Sequence, residues 1–471
     1  MDAPGVQNFG GNLTVRPQRF VAARSEQDVL NLLAQSPRRV RMAGSRHSWS
    51  PLLDTDTVLL DMTQLAGVRV LSTDDGKLLV KAQGGCPIWK ILEALNDHGL
   101  TLPSVGLITA QTIAGAISTG THGSGRSSLS HYVTEVRLAC YSDETTQPRV
   151  VTIAGGDELR AARCSLGCMG VILEVTIVPI PQYYVREQLV PANSLDQALA
   201  SEADWPLQQL FLIPHSWRFY VQKRQKAPAG NRFLADLYRI YWFLVMDLGL
   251  HLLVLGVLRL ASRRRRAIQT LFRYVLPCFV LSPVKATARS DRQLTMAHDL
   301  FQHIEEELYV RRNDLPAALE VLQDVLRMAD DGLHRLNPSV RTMLLDADLL
   351  TELEAIAGTW THHYPICIRR VAPDDTLISV TADGFDDWYS ISLISYAKPR
   401  EEFLAVAAFL ARALGILFCA RPHWGKWFPW QQPDAIPPYP GLPGFRRIVL
   451  RHDPRGVFRN PFVDRVLETD V

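Results

Sequence analysis

Leu102–Gly125 reads LPSVGLITAQTIAGAISTGTHGSG. Gly, Ser and Thr crowd it, yet apolar residues are threaded through. Gly106, Gly115, Gly120, Gly123 and Gly125 keep side chains out of the way. The hydroxyls of Thr112, Thr119 and Thr121, together with bare backbone N–H groups, supply donors. Such a segment suits close backbone approach to a phosphate-bearing ligand. It contains neither GxxxxGK[ST] nor G-x-G-x-x-G, which excludes a P-loop and the dinucleotide fingerprint at this point. Taken alone, it reads equally well as a Gly-rich surface loop.

An earlier stretch changes that balance. Arg39–Ser50 runs RVRMAGSRHSWS. Val40 and Met42 alternate with charged residues, as in an edge or half-buried strand. A turn follows at Gly44, Ser45, Arg46, His47 and Ser48, where N–H groups and the Arg46 charge suit a pyrophosphate. A lone His in such a loop is usually just solvated. Together the two stretches resemble the FAD-linked oxidases of the vanillyl-alcohol-oxidase superfamily, which carry a PCMH-type FAD-binding domain. In that family the loop after the second strand has the form G-x-x-H-S, and its His often carries the flavin covalently. The resemblance implies FAD bonded to His47, with the T-H-G-S-G end of the second stretch, Thr121 and His122 included, running along it. Some relatives attach the flavin a second time through a Cys in the Gly-rich stretch. Residues 102–125 hold no Cys, so one bond at most is expected.

Length and composition fit a large enzyme. The chain has 471 residues, 47% hydrophobic and 21% charged, enough for two or three domains with real cores. The formal net charge of +2 leaves no nucleic-acid footprint. The N-terminus has no basic region followed by an apolar run, so no signal peptide is expected. Seven scattered cysteines make no C-x-x-C and no zinc set, pointing to a reduced, cytoplasmic chain without structural metal.

Along the chain, Ser25 reads as the N-cap of a helix within 19–35. Strands are expected at 38–43, 57–65 and in LLVKAQGG, then an amphipathic helix from Ile88 to Gly99. Strands alternating with helices predict an α+β domain. Asp157–Ile177, DELRAARCSLGCMGVILEVTI, matches a third family segment and implies that Gly170, Val171 and Ile172 lie near the FAD. The pattern changes after Pro179, and a domain boundary is placed near Pro181.

The oddest piece follows. Asp236–Leu260 reads DLYRIYWFLVMDLGLHLLVLGVLRL, with SRRRR at 262–266. Its length is near the ~20 residues that span a bilayer, and the basic cluster would fit a cytoplasmic flank. Asp247 would cost roughly 3 kcal/mol at mid-bilayer, and the flanking domains need to lie on one side. Peripheral membrane or oligomer contact through 236–266, and ordinary buried helices, are the other readings.

Further on, 305–326 looks like re-entry into a substrate-domain sheet, with a helix from Leu315 to Leu326. Strand periodicity returns at 364–380 and in WYSISLISY. Here the chain resembles the sugar-lactone oxidases (L-gulonolactone, L-galactonolactone and D-arabinonolactone), with alditol oxidases nearby. Their strand P-x-E-x-R appears as Pro365-Ile366-Cys367-Ile368-Arg369. Arg369 matches the substrate-binding Arg, but Cys367 stands where the family has Glu, which points to a different substrate. Arg421–Lys426, RPHWGK, matches the H-W-[AG]-K signature. It implies that His423 and Lys426 lie near the flavin N1–C2=O edge, where a cation stabilises reduced flavin.

The expected fold is therefore α+β, a two-domain PCMH-type FAD-binding fold with a substrate (cap) domain. Residues 1–181 form the FAD domain. Residues 182–422 form the substrate domain, with an apolar helical insert at 233–290, and 423–471 return to the FAD domain. The implied reaction is dehydrogenation of a carbinol C–H of a sugar lactone, polyol or related alcohol. Hydride passes to the flavin while a basic group takes the hydroxyl proton. Lys426, Arg369 and His423 are the catalytic candidates, and the base stays open. In the lactone oxidase group a Gly beside the flavin admits oxygen where dehydrogenases have Ala. Gly106 matches that Gly and implies oxygen as acceptor with hydrogen peroxide as product. A membrane-anchored dehydrogenase passing electrons to a quinone or cytochrome, and a non-catalytic flavin carrier, are the alternatives.

Overall fold

The computed structural model describes residues 5–469 except 143–144, 261–263, 281–283, 297–299, 385, 397, 399 and 433. Local sequence signals account for the first elements. Ser25 caps the helix Glu26–Ala34 in a capping box with Asp28. The strands Val40–Ala43, Val58–Asp61 and Leu78–Gln83 and the helix Ile88–Asn96 stand where periodicity places them. Arg41 is not on a solvated face. It is 2% exposed and donates to the carbonyls of Leu52, Leu166 and Gly167. Its charge ties the strand before the His47 turn to the loop before Gly170.

Three sheets frame the molecule. Arg19–Ala22, Val58–Asp61 and Val40–Ala43 form a small parallel sheet with Val58–Asp61 in the middle. A five-stranded antiparallel sheet has Val171–Ile177 at its centre, between Val133–Ser142 and Leu78–Gln83. The third has eight antiparallel strands, from Lys285–Arg289 at one edge to Arg421–Pro422 at the other. The α+β expectation holds. The strand expected over 364–380 is shorter: it spans Ile366–Val371. Beyond it Asp374 accepts from Thr376, Ser379 and Ser128, which satisfies the backbone and side chains without a ladder.

Alternation along the strand Ile304–Arg311 sorts the large sheet into two faces. Ile304, Leu308 and Val310 enter an apolar core with the helices Leu315–Asp330 and Glu401–Phe418. Glu305, Glu307 and Tyr309 point the other way, in register with Ile394, Ser392 and Ser390, as Arg369 is with Ser390. The closing segment packs into the first core, where Trp424, Tyr439, Phe445 and Phe462 meet Ile91, Ile113 and Ile117. Val40 also donates to the Val457 carbonyl at 2.8 Å.

The apolar run forms one helix from Arg232 through Leu260, with a π-helical stretch at Trp242–Gly249. It is long and apolar enough to cross a membrane, yet only 11% of its most apolar window is buried. The reading as ordinary buried helices is therefore corrected. Ala235, Tyr238, Leu250 and Val254 face the protein, while Phe233, Leu234, Leu237, Ile240, Leu252 and Leu253 are exposed. Ser262 and Arg263 lie outside the described residues. Arg264–Arg266 begin the next helix.

Candidate active site

The turn after Val40–Ala43 projects into a cleft between the small sheets and the eight-stranded one. Arg46 holds a left-handed φ of 61°, a strained conformation for a residue with a side chain. Its carbonyl accepts from Phe9 at 2.9 Å, and the His47 ring stacks on Phe9 at 4.8 Å. Two glycines bring backbone close. A Cβ on Gly44 would stand 2.1 Å from Thr112 Oγ1, and Gly170, at φ +140°, would put one 2.5 Å from the Ala139 carbonyl. The first contact presses the His turn against the Gly-rich stretch, and the second seats Gly170 on the strand Val133–Ser142.

The cleft gathers nearly all the residues singled out in the sequence. Gly44 to Ser48, Gly106, Thr112, Gly115, Thr119, Thr121, His122, Gly170, Val171, Ile172, Arg369, His423 and Lys426 line it. Gly120 does not. It turns the chain at φ +75°, with a Cβ position facing Ser379.

The catalytic end was only partly legible. Glu305 accepts from Lys426 Nζ, and the ammonium also lies 4.4 Å from the centre of the Trp49 ring. Burial raises the Glu305 carboxyl, but Lys426 and His303 together outweigh it and hold it at about 2. Burial likewise works against Glu307, and His122 brings it well below the usual range. His122 Nε2 lies 3.2 Å from Glu307 Oε1 and within hydrogen-bond reach of the Tyr309 hydroxyl, while Nδ1 donates to the Gly123 carbonyl at 2.8 Å. His423 Nδ1 accepts from the Gly425 N–H at 2.9 Å. Burial pushes His423 down to about 3, so its ring is neutral. Burial opposes the charge on Arg369, and the Glu307 and Glu305 carboxylates favour it, so the guanidinium stays charged. It donates to Gln209 at 3.0 Å.

Two carboxylates thus face two cations across one end of the cleft. The His122, Glu307 and His423 donor atoms lie within 4.8 Å of one another, close enough for a cation. Two of their ring nitrogens are already engaged with backbone. The sequence signal for Glu305 and Glu307 was their i, i+2 spacing in a strand, which puts both on one face. Nothing in a strand of that length says which face meets the cleft.

FAD suits these residues. The cleft joins a hydroxyl-rich loop pair to a buried His47 Nδ1 that has no hydrogen-bond partner among the described residues. Lys426 and Arg369, faced by Glu305 and Glu307, stand at the far end.

A second cavity of about 680 Å³ opens from the same end. Leu107, Asp247, Met296, Glu305, Tyr364, Arg369 and Ile394 line both spaces. Its floor is the eight-stranded sheet, with Phe211, Ile213, Tyr220 and Cys367. Its roof is the apolar helix, with Trp242, Phe243, Leu244 and Leu250. Burial pushes the Cys367 thiol up, so it is neutral.

Comparison with known proteins agrees with this geometry. Residues 17–147 match the FAD binding domain family, and residues 193–466 match the D-arabinono-1,4-lactone oxidase family. The chain is 44% identical over 473 residues to a long-chain alcohol oxidase of an uncultured marine euryarchaeote, covering 99% of this chain and 98% of that one. It is 23% identical to L-gulonolactone oxidase of Bos taurus, covering 98% and 97%. Its fold matches the crystal structure of cholesterol oxidase from B. sterolicum with a TM-score of 0.70 and 15% identity, covering 98% and 96%. The fold and cleft define a flavoprotein of the PCMH-type FAD-binding superfamily. Within it, the chain belongs to the D-arabinono-1,4-lactone oxidase family. It is an FAD-dependent oxidase acting on CH–OH groups, with a small-molecule substrate and oxygen as acceptor.

Proposed function

We propose that the substrate is a long-chain alcohol, as the name of the 44% identical relative has it, with its hydroxyl at the end of the chain. One observation carries this reading: the largely apolar cavity that continues from the cleft beneath the helix 232–260. A sugar lactone has no use for such a space. Burying the methylenes of an alkyl chain there contributes ~0.8 kcal/mol each. Cys367 supports the same reading, because a neutral thiol replaces the carboxyl that would pair with further substrate hydroxyls.

In this reading the alkyl chain lies in the cavity and the carbinol at the junction. Bound FAD supplies the hydride acceptor. Arg369 and Lys426 hold the carbinol oxygen in a positive field, and His423, kept neutral, borders the cofactor without adding charge. Glu305 receives the hydroxyl proton. A carboxylate at about 2 is a weak base, but a carbinol losing hydride becomes a protonated carbonyl, a strong acid, so a weak base suffices. Gly44 to Ser48, Gly106, Thr112, Gly115, Thr119, Thr121, His122 and Gly170 to Ile172 cradle the FAD, bonded through His47. The chain divides at 1–181, 182–422 and 423–471.

The exposed apolar side of 232–260 lies on a membrane surface, with Arg264 and Arg266 toward anionic headgroups. A parallel orientation fits better than a span, because the inner side of the same helix roofs the cavity. Anaerobic flavin bleaching tests the substrate. 1-Dodecanol is expected to bleach the flavin at micromolar concentration, with L-gulono-1,4-lactone and xylitol inert at millimolar. Bleaching by the lactone or polyol alone overturns the reading.

A further inference from the structure

Between Ile240 and Leu258 the sequence contains just two residues of the types Asp, Glu, Lys, Arg and His: Asp247 and His251. A helix built only to cover an apolar cavity or touch lipid has no use for either. Both sit on its inner side. Asp247 lines the cleft and the second cavity, and His251 lines the cleft. The outward positions beside them, Leu252 and Leu253, are apolar.

The backbone is unusual at the same point. Trp242–Gly249 is π-helical, a feature that collects at functional sites. An i→i+5 turn brings Trp242 over Asp247, which share a hydrogen bond. It also turns the following helix by about one residue, ~100°, and His251 falls one turn beyond Asp247 on the cavity side. His251 is boxed by Phe301, Tyr396 and Tyr364, with ring centres at 5.0, 5.2 and 5.7 Å. Its Nδ1 is buried with no hydrogen-bond partner among the described residues.

We infer that Asp247, seated by the π-turn and backed by His251, is a hydroxyl-binding group that the insert brings to the junction of the two cavities. It holds the primary hydroxyl of an alkyl alcohol against Arg369 and Glu305 while the chain lies toward Phe211 and Leu244. This rests on the long-chain alcohol reading. Burial pushes the Asp247 carboxyl up to about 7 and His251 down to about 4. Near neutrality the acid can therefore donate as well as accept, and the ring adds no charge.

Equilibrium dialysis of radiolabelled 1-dodecanol against the anaerobically reduced holoenzyme tests it, because reduced enzyme binds the alcohol without turning it over. Asp247→Leu is expected to weaken binding about tenfold, the loss for one hydrogen bond in a buried site. Asp247→Asn, which keeps a donor and an acceptor, should stay within about threefold. Dodecane should bind native and Leu variant alike. Equal Kd for dodecanol in native and Leu variant overturns the inference. If the Leu variant yields no yellow protein, Asp247→Ala carries the same comparison with the same two outcomes. Failure of native enzyme to bind dodecanol at all would instead overturn the substrate reading beneath it.

Discussion

The His47 Nδ1 is a nitrogen in search of a bond. Burial pushes its pKa down to about 4, with Lys426 adding to the effect, so the ring is a neutral nucleophile at pH 7. The acid-precipitated native protein is expected to be a yellow pellet. His47→Ala should give a colourless pellet with its FAD in the supernatant, and a colourless native pellet would remove the covalent bond. Gly106 carries the oxygen prediction. A Cβ there would stand 2.6 Å from Thr121 Cγ2, so Gly106→Ala shifts Thr121 as well as narrowing the cleft. Pairing it with Thr121→Ser removes that methyl. The double variant is expected to retain FAD and reoxidise in air at least tenfold more slowly than Thr121→Ser alone, by stopped-flow absorbance. Equal rates would mean that oxygen does not pass Gly106. Most of the cofactor cleft was legible at this scale because its signals are local: a Gly-Ser turn, clustered hydroxyls, a distinctive H-W-G-K. Glu305, Glu307 and Tyr309 were not, since an acidic residue in a strand reads as solvated until its sheet face is known. Gly120 shows the reverse, a glycine explained by its φ of +75° that stands among cleft-lining neighbours without lining the cleft.

At the scale of elements, the helix 232–260 resists sequence reading for a physical reason. Length and hydropathy are the same for a span, a surface helix and a buried core helix, and only the packing of each face separates them. The sequence does show where the polar residues fall, and Asp247 and His251 mark the inner side. With Phe233 73% exposed and Leu237 53%, docking on anionic vesicles is expected. Phe233→Glu with Leu237→Glu should release the protein into the supernatant of a liposome sedimentation assay. Arg264→Glu with Arg266→Glu should weaken binding at least tenfold, at ~1 kcal/mol per cation. Arg265 is left in place because it pairs with Asp330 at 3.1 Å. Equal recovery with and without vesicles would return the helix to a purely internal role.

For the whole molecule the titrations add. Burial pushes His47, His251 and His363 down to about 4 and His423 to about 3. Their folded pKa values lie below the unfolded value near 6.5, so between pH 6.5 and 4 the unfolded chain binds more protons. Their contribution is full above pH 6.5 and is lost as pH falls toward 4. Asp247, raised to about 7, acts in the opposite sense through the same window, as does the buried, raised Glu306. His215 and His362 are lowered as well, and Asp54 and Asp453 are raised, so six histidines against four carboxyls leave a net fall, and below pH 4 the depressed Glu305 and Glu307 add to it. Tm by calorimetry is expected to drop by several degrees from pH 6.5 to 4.5; a flat or rising Tm would mean that these rings are solvated. The overall architecture was legible because helix, strand and loop alternate with clear periodicity in the first third. The division of labour between the cleft and the second cavity was not, because it depends on two segments more than a hundred residues apart meeting across a sheet.

Arg218–Ala227 and Lys285–Arg289 both pair antiparallel with Tyr184–Ala192, so they run in the same direction on either side of it. A chain leaving the end of the first must travel back along the sheet before it can begin the second, and no tight turn can join them. A long connection is compulsory here whatever the substrate. Its content is free to drift while its anchors stay put. Substrate range could be rewritten by transplanting this one crossover between relatives, with the flavin cradle and the strand register left intact.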